Sequence, residues 1–184
     1  ENLITFVGKL NRSKGYDIFG KAIIKILNKY KDWKAIVIGD EQRDKIDFNH
    51  KKLSKLGFLQ HDKVINYYKK TSIAVVCSRW EEPFGRVSLE AASRGCAIIT
   101  SNTGGLSETT DHALKLKELT VKELKKNLNK LISDKSFLLK KQKDNFNGFF
   151  LTHDHVASLI DQIRANKINS FFYKRKKNNI KILH

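Results

Sequence analysis

Through residue 110 the chain alternates short runs of β-branched and other apolar residues with longer amphipathic stretches, which leaves few folds open. Leu3 to Val7 reads as a strand. Asp17 to Tyr30 reads as a helix, because Ile18, Phe19, Ala22, Ile23, Ile26 and Leu27 recur at helical spacing on one face. Lys34 to Ile38 is a second strand, and a weak one is expected near Leu56 to Leu59. His61 to Lys70 is expected to be a short helix with Val64, Ile65 and Tyr68 inward. Ile73 to Cys77 and Cys96 to Thr100 are continuous apolar runs, as in strands buried on both faces. Between them Arg86 to Arg94 reads as a helix stopped by Gly95. Strands separated by helices imply an α/β fold, a Rossmann-like doubly wound parallel sheet. It has five or six strands, depending on Ala113 to Leu116. After Thr120 the strand pattern ends. Val121 to Ile132, Ser136 to Asn147 and His153 to Lys167 read as helices packed around that sheet.

A chain of 184 residues has room for one sizeable core. The expectation is a single domain over 1–184, with its core at 2–135 and C-terminal helices and a basic tail over 136–184. No apolar run approaches the roughly 18 residues of a membrane-spanning helix. Met is absent from the sequence, so the chain reads as a piece of a longer protein. Cys77 and Cys96 lie in apolar runs and read as reduced core residues of a cytoplasmic protein. Lys+Arg 36 against Asp+Glu 19 gives +17, a charge that favours phosphorylated ligands, nucleic acid or an anionic membrane surface. The Lys residues are spread along the chain and accompanied by many Asn and Ile, so much of this charge reads as compositional background. Phe171, Phe172 and Tyr173 with the cations after them are the one place where aromatics and basic residues cluster. The tail Tyr173 to Lys181 reads as solvated by default, and nucleic acid is the less favoured partner.

The segment Glu82-Pro83-Phe84-Gly85-Arg86-Val87-Ser88-Leu89-Glu90 is the most informative. It follows a buried strand and opens a helix, and ligands of open parallel sheets bind beyond the carboxyl ends of the strands. A helix start there points free N–H groups at the ligand, which suits a phosphate. Gly85 allows close backbone approach. Glu82 precedes the helix and Glu90 lies inside it, so two carboxylates can reach different parts of a polyhydroxylated ligand. The plainer readings are a helix-start acid for Glu82 and a surface charge for Glu90; the apolar neighbours Leu89, Ala91 and Ala92 argue against the latter. There is no G-x-G-x-x-G, no P-loop, no Asp-x-Asp and no Cys/His cluster. Dinucleotide, P-loop and zinc chemistry are therefore unsupported.

Two Glu separated by seven residues, continuing as Glu90-Ala91-Ala92-Ser93-Arg94-Gly95, resemble the signature of family 4 glycosyltransferases of the retaining GT-B type. Thr103-Gly104-Gly105-Leu106-Ser107-Glu108 is similar to that family's G-G-x-x-E turn. Phe6-Val7-Gly8-Lys9-Leu10-Asn11-Arg12-Ser13-Lys14-Gly15 resembles its F-x-G-R-L-x-x-x-K-G block. The three blocks come in the family's order and cover about residues 2 to 135.

The resemblance implies metal-independent transfer of a hexose-type sugar from a UDP-, GDP- or ADP-sugar to a glycan, lipid or other acceptor hydroxyl, with retention and no cofactor. It further implies that this is the C-terminal, donor-binding half and that an N-terminal acceptor domain lies outside the sequence. Lys9 and Lys14 would clamp the diphosphate, Lys9 standing where the family has Arg and so lacking the planar fork. Glu82 would contact the sugar, with Phe84 and Gly85 presenting N–H groups, and Glu90 the ribose. Gly8 belongs to the first block. Gly104 and Gly105 form either a turn at the site or a purely structural one, and Arg86 faces phosphate or solvent. A location in the cytoplasm, peripheral to the inner face of a bacterial membrane, goes with this reading. An epimerase-like enzyme on the same fold and a basic nucleic-acid or membrane-surface module are the alternatives.

Overall fold

Six strands, β1 (Leu3–Val7), β2 (Lys34–Ile38), β3 (Leu53–Lys55), β4 (Ile73–Val76), β5 (Ala97–Ser101) and β6 (Leu114–Leu116), pair in parallel in the order β3-β2-β1-β4-β5-β6. The computed structural model describes residues 1–108 and 111–180, with side chains as far as 171. Helices α1 (Tyr16–Lys29), α2 (His61–Tyr68), α3 (Arg86–Ala92), α4 (Val121–Ser133), α5 (Lys135–Asn147) and α6 (His153–Ile180) complete the described elements, with a 3-10 turn at Gly104–Ser107.

Strand alternation builds two cores, one on each face of the sheet. Ile4, Phe6, Ala35, Val37, Ile73, Val75 and Ile99 point to the face covered by α1 and α4. Leu3, Ile36, Ile38, Ala74 and Ile98 point to the opposite face, against Val64 and Tyr68 of α2 and Ala91 and Ala92 of α3. Each large side chain so buried contributes about 1.5–3 kcal/mol of transfer free energy. Tyr16, Phe19, Ile23 and Leu27 of α1 are fully buried, so its apolar stripe becomes one wall of the first core. The chain caps its later helices locally: Thr120 accepts from the Glu123 N–H at 3.2 Å and Asp134 from the Phe137 N–H at 2.9 Å.

The third strand is not where the sequence pattern placed it. β3 is the edge segment Leu53–Lys55, paired at Ala35↔Leu53, and not Leu56 to Leu59. The Leu56 N–H still donates to Val37 O at 2.9 Å and Gly57 O accepts from the Gly39 N–H at 2.8 Å, but Gly57, at φ +66°, then turns the chain away before Leu59. Leu56 and Leu59 then pack on the second core from the loop.

Glu1–Phe149 forms one compact unit, and a second begins at Phe150. Within the first, α5 lies along the amino ends of the strands. Its Gln142 donates to Ser72 O at 3.2 Å and its Asn145 to Cys96 O at 3.0 Å, just before β4 and β5. The opposite, carboxyl edge carries the long loops. The second unit is the helix α6, which extends past the expected Lys167 to Ile180. Its side chains from His153 to Phe171 are exposed, including Val156, Leu159, Ile160 and Ile163. The tail expected to be solvated is helical in backbone from Tyr173 to Ile180; Lys181 lies outside the described residues.

Candidate functional site

From β1 the chain moves through β2 to β3 on one side; β4, β5 and β6 follow on the other. The carboxyl ends of the adjacent strands β1 and β4 therefore mark the point where the winding reverses, the place where open α/β sheets bind ligands. A cleft of about 250 Å³ lies there. Its walls are Phe6, Val7 and Gly8 from β1 and its exit, Val76 and Ser78 from β4 and its exit, and Glu82 to Val87; Lys14 and Leu106 complete it.

The two loops that frame the cleft are fixed to each other. Gly15, at φ +72°, caps α1 and presses on the end of β4: a Cβ there would lie 1.8 Å from Cys77 O. Only glycine tolerates both that conformation and that approach. The N–H groups of Arg79 and Trp80 donate to Ser13 O at 2.7 and 3.2 Å. Arg79 also forks onto Asp17, Nη1 to Oδ1 at 2.7 Å and Nη2 to Oδ2 at 2.9 Å, and Nη1 donates to Arg12 O. Burial raises the Asp17 carboxyl, and the Arg79 fork outweighs it, leaving the group below its ordinary range. On the other side Asn11 accepts from the Lys14 N–H at 3.0 Å and donates to Glu41 at 2.9 Å. The Arg43 N–H, the Arg43 side chain and Asn11 together hold Glu41 down to about 2.

Lys14 and Glu82, 68 residues apart, meet across the cleft: Lys14 Nζ donates to Glu82 Oε1 and both side chains are half-buried. Phe84, Gly85 and Arg86 line the wall beside them. Gly85, at φ +72°, caps α3, and Ser88 Oγ closes that turn on Gly85 O at 2.7 Å. Gly104 and Gly105 are absent from the lining and lie directly behind it. The Gly105 N–H donates to Glu82 O at 2.6 Å, and a Cβ on it would come within 2.7 Å of Pro83 O. Their turn thus holds the Glu82 to Phe84 backbone in place, and Leu106 after it reaches the cleft.

Two expected residues stand apart. Lys9 is exposed and outside the lining. Glu90 is half-buried beyond the cleft, 3.1 Å from His61 Nε2 and 3.4 Å from Arg86 Nη2, so Arg86 links it to the wall. The Arg79–Asp17 and Asn11–Glu41 clamps were not foreseen, because neither pair has a local spacing signal. Cys77 and Cys96 are free, lie in opposite cores, and burial pushes both thiols up to about 12. Among the described residues no three His, Cys, Asp or Glu side chains are grouped to hold a metal ion.

The family profile of glycosyl transferases group 1 matches residues 1–148. The chain belongs to that family. This group 1 glycosyltransferase chain is 34% identical over 119 residues to an uncharacterized glycosyltransferase of Methanocaldococcus jannaschii, covering 61% of this chain and 30% of the relative. The C-terminal domain of a group 1 glycosyl transferase from Francisella tularensis superposes with a TM-score of 0.71 and 26% identity, covering 79% of this chain and 82% of that one. Anabaena HepE, solved with UDP-glucose, gives 0.75 at 20% identity, covering 92% and 49%; at that identity the likeness concerns the fold, here the C-terminal half of a GT-B glycosyltransferase. The chain spans about a third of the length of the curated relatives it matches.

Proposed function

We propose that this chain is the donor-binding half of a glycosyltransferase and that the cleft takes the diphosphate and sugar of a nucleoside diphosphate sugar. The observation that carries the reading is the meeting of Lys14 and Glu82 at the winding reversal. A cation suited to phosphate and a carboxylate suited to sugar hydroxyls share one cleft there. As the sugar–phosphate bond breaks, the leaving diphosphate gains charge, and Lys14 stabilises it from a loop already fixed by Asn11 and Arg79. Lys9 adds a second cation from the same loop through its solvent-exposed side chain. The Phe84 to Arg86 backbone lies against the same phosphates. Glu82 positions the sugar. Glu90 accepts from ribose hydroxyls one turn along α3, with Arg86 between ribose and phosphate.

The family resemblance supports retention at the anomeric carbon, independence of metal and a hexose-type donor. The UDP-glucose complex of HepE favours UDP among the three candidate bases. The remainder of a full-length enzyme supplies the acceptor site and closes the cleft, so the 184 residues bind donor without transferring sugar. Transfer takes place in the cytoplasm, at the inner face of a bacterial membrane.

Thermal-shift titration with UDP, GDP and ADP tests this. At a hundredfold excess over Kd one of them raises Tm by about 5–10 °C. Lys14→Ala then weakens the diphosphate and leaves the parent nucleoside unchanged; equal losses for both would reject Lys14 as the phosphate cation.

A further inference from the structure

The ion pair at the centre of the cleft gives Glu82 a second consequence. Lys14 and Glu82 are bonded through their side chains, and the backbones that carry them are fixed. The Lys14 backbone is held by Asn11, the Glu82 carbonyl by the Gly105 N–H, and the two loops by Arg79. Any phosphate oxygen that binds Lys14 therefore has the Glu82 carboxylate as a near neighbour.

The phosphates of donor and product differ in charge. In a nucleotide sugar the second phosphate is esterified on both sides and carries one negative charge. In the free nucleoside diphosphate it is a terminal phosphate, and such groups carry about −1.5 to −2 at pH 7, with a second pKa near 6. A carboxylate beside Lys14 repels the terminal phosphate more strongly than the esterified one. Sugar hydroxyls, in contrast, donate to it.

We infer that Glu82 sets the discrimination between nucleotide sugar and free nucleoside diphosphate, holding the first and weakening the second through its charge next to Lys14. The inference rests on the donor-cleft reading above. It makes Glu82 a specificity residue between substrate and product, in addition to positioning the sugar. In a cleft open to water, one added charge at this range is worth about tenfold in affinity.

Glu82→Gln removes the charge and keeps the shape and a hydrogen-bonding oxygen. The experiment is calorimetric titration of the 184-residue chain, wild type, Glu82→Gln and Glu82→Asp, with UDP and UDP-glucose, GDP and GDP-mannose, and ADP and ADP-glucose. For the pair that binds, Glu82→Gln tightens the free diphosphate about tenfold in absolute Kd and does not tighten the sugar nucleotide to the same extent. Glu82→Asp keeps the wild-type preference. In the Gln variant Lys14 acts alone, so the free diphosphate loses affinity relative to the sugar nucleotide between pH 7 and about pH 5.5, as the terminal phosphate takes up a proton; the wild type, in which Glu82 offsets Lys14, changes less. Thermal unfolding of each variant checks that the fold is intact. Equal tightening of both ligands means that Gln only frees Lys14, and overturns the inference while leaving the donor cleft standing. A free-diphosphate Kd that stays the same in Glu82→Gln, with or without a weakened sugar nucleotide, does the same. Failure of every ligand to bind any of the three proteins overturns both.

Discussion

Gly15→Ala tests whether the Lys14 loop is built onto the end of β4. Gly15 sits at φ +72°, and a Cβ there would lie 1.8 Å from Cys77 O and 2.9 Å from Cys77 C. Non-bonded carbon contacts settle near 3.5 Å, so the loop and the strand end must part by roughly 1.5 Å. The left-handed conformation alone costs a non-glycine residue about 1–2 kcal/mol. Parting also strains the Arg79 and Trp80 N–H bonds to Ser13 O, each with a net worth of about 1 kcal/mol. The sum is about 3–4 kcal/mol, a large share of the 5–15 kcal/mol typical of a domain. Gly57 provides the control. It has a similar φ, +66°, but nothing within 4 Å of its added Cβ, so Gly57→Ala should cost only about 1 kcal/mol. Urea unfolding followed by far-ultraviolet circular dichroism, at equal slopes, gives both values. A Gly15→Ala protein as stable as Gly57→Ala would refute the close packing of loop on strand.

Two further outcomes are expected. Arg79→Lys keeps the charge but loses the fork onto Asp17, so it should weaken nucleoside diphosphate binding several-fold while costing at most about 1 kcal/mol of stability; unchanged affinity by calorimetry would show that the loops hold without it. The urea midpoint should fall at both ends of the pH range. Glu41 and Asp17 have carboxyls lowered by folding, so their stabilisation is complete above the ordinary carboxylate range and is lost as pH drops from about 4.5 towards 2. Cys77 and Cys96 are raised to about 12, so stability also declines as pH climbs from about 9 towards 12. A midpoint flat through the acid window would contradict the Glu41 and Asp17 contacts.

Elements with their own signature were legible in the sequence. β1 and β2 fall on the expected residues because apolar runs bounded by polar ones need no tertiary information, and α1 because its buried stripe has helical period. β3 was misplaced because Leu53-Ser54-Lys55 is a strand only through its pairing with β2. Its half-exposed side chains leave no pattern, and the nearby leucines serve packing instead. α6 shows the reverse: Val156, Leu159, Ile160 and Ile163 have helical spacing that suggests burial, and they are exposed. In the cleft, motif order brought Lys14, Glu82, Phe84 and Gly85 together. Sequence could not give direction: Lys9 belongs to the same block as Lys14 yet its side chain is in solvent. Nor could it reveal that Glu90 bonds His61, or that Arg79 joins the two loops, since these contacts span 29 and 62 residues.

The proposed place of the donor is the cleft at the carboxyl ends of β1 and β4. Amide chemical-shift mapping of the ¹⁵N-labelled chain during titration with UDP-glucose, and with GDP-mannose and ADP-glucose in parallel, tests it directly. Saturable shifts are expected for one donor, largest at Gly8, Lys14, Glu82 and Phe84 to Arg86. Shifts centred instead on the basic groove of Lys117, Lys122, Lys125 and Lys126, with the β1 and β4 loops silent, would contradict it.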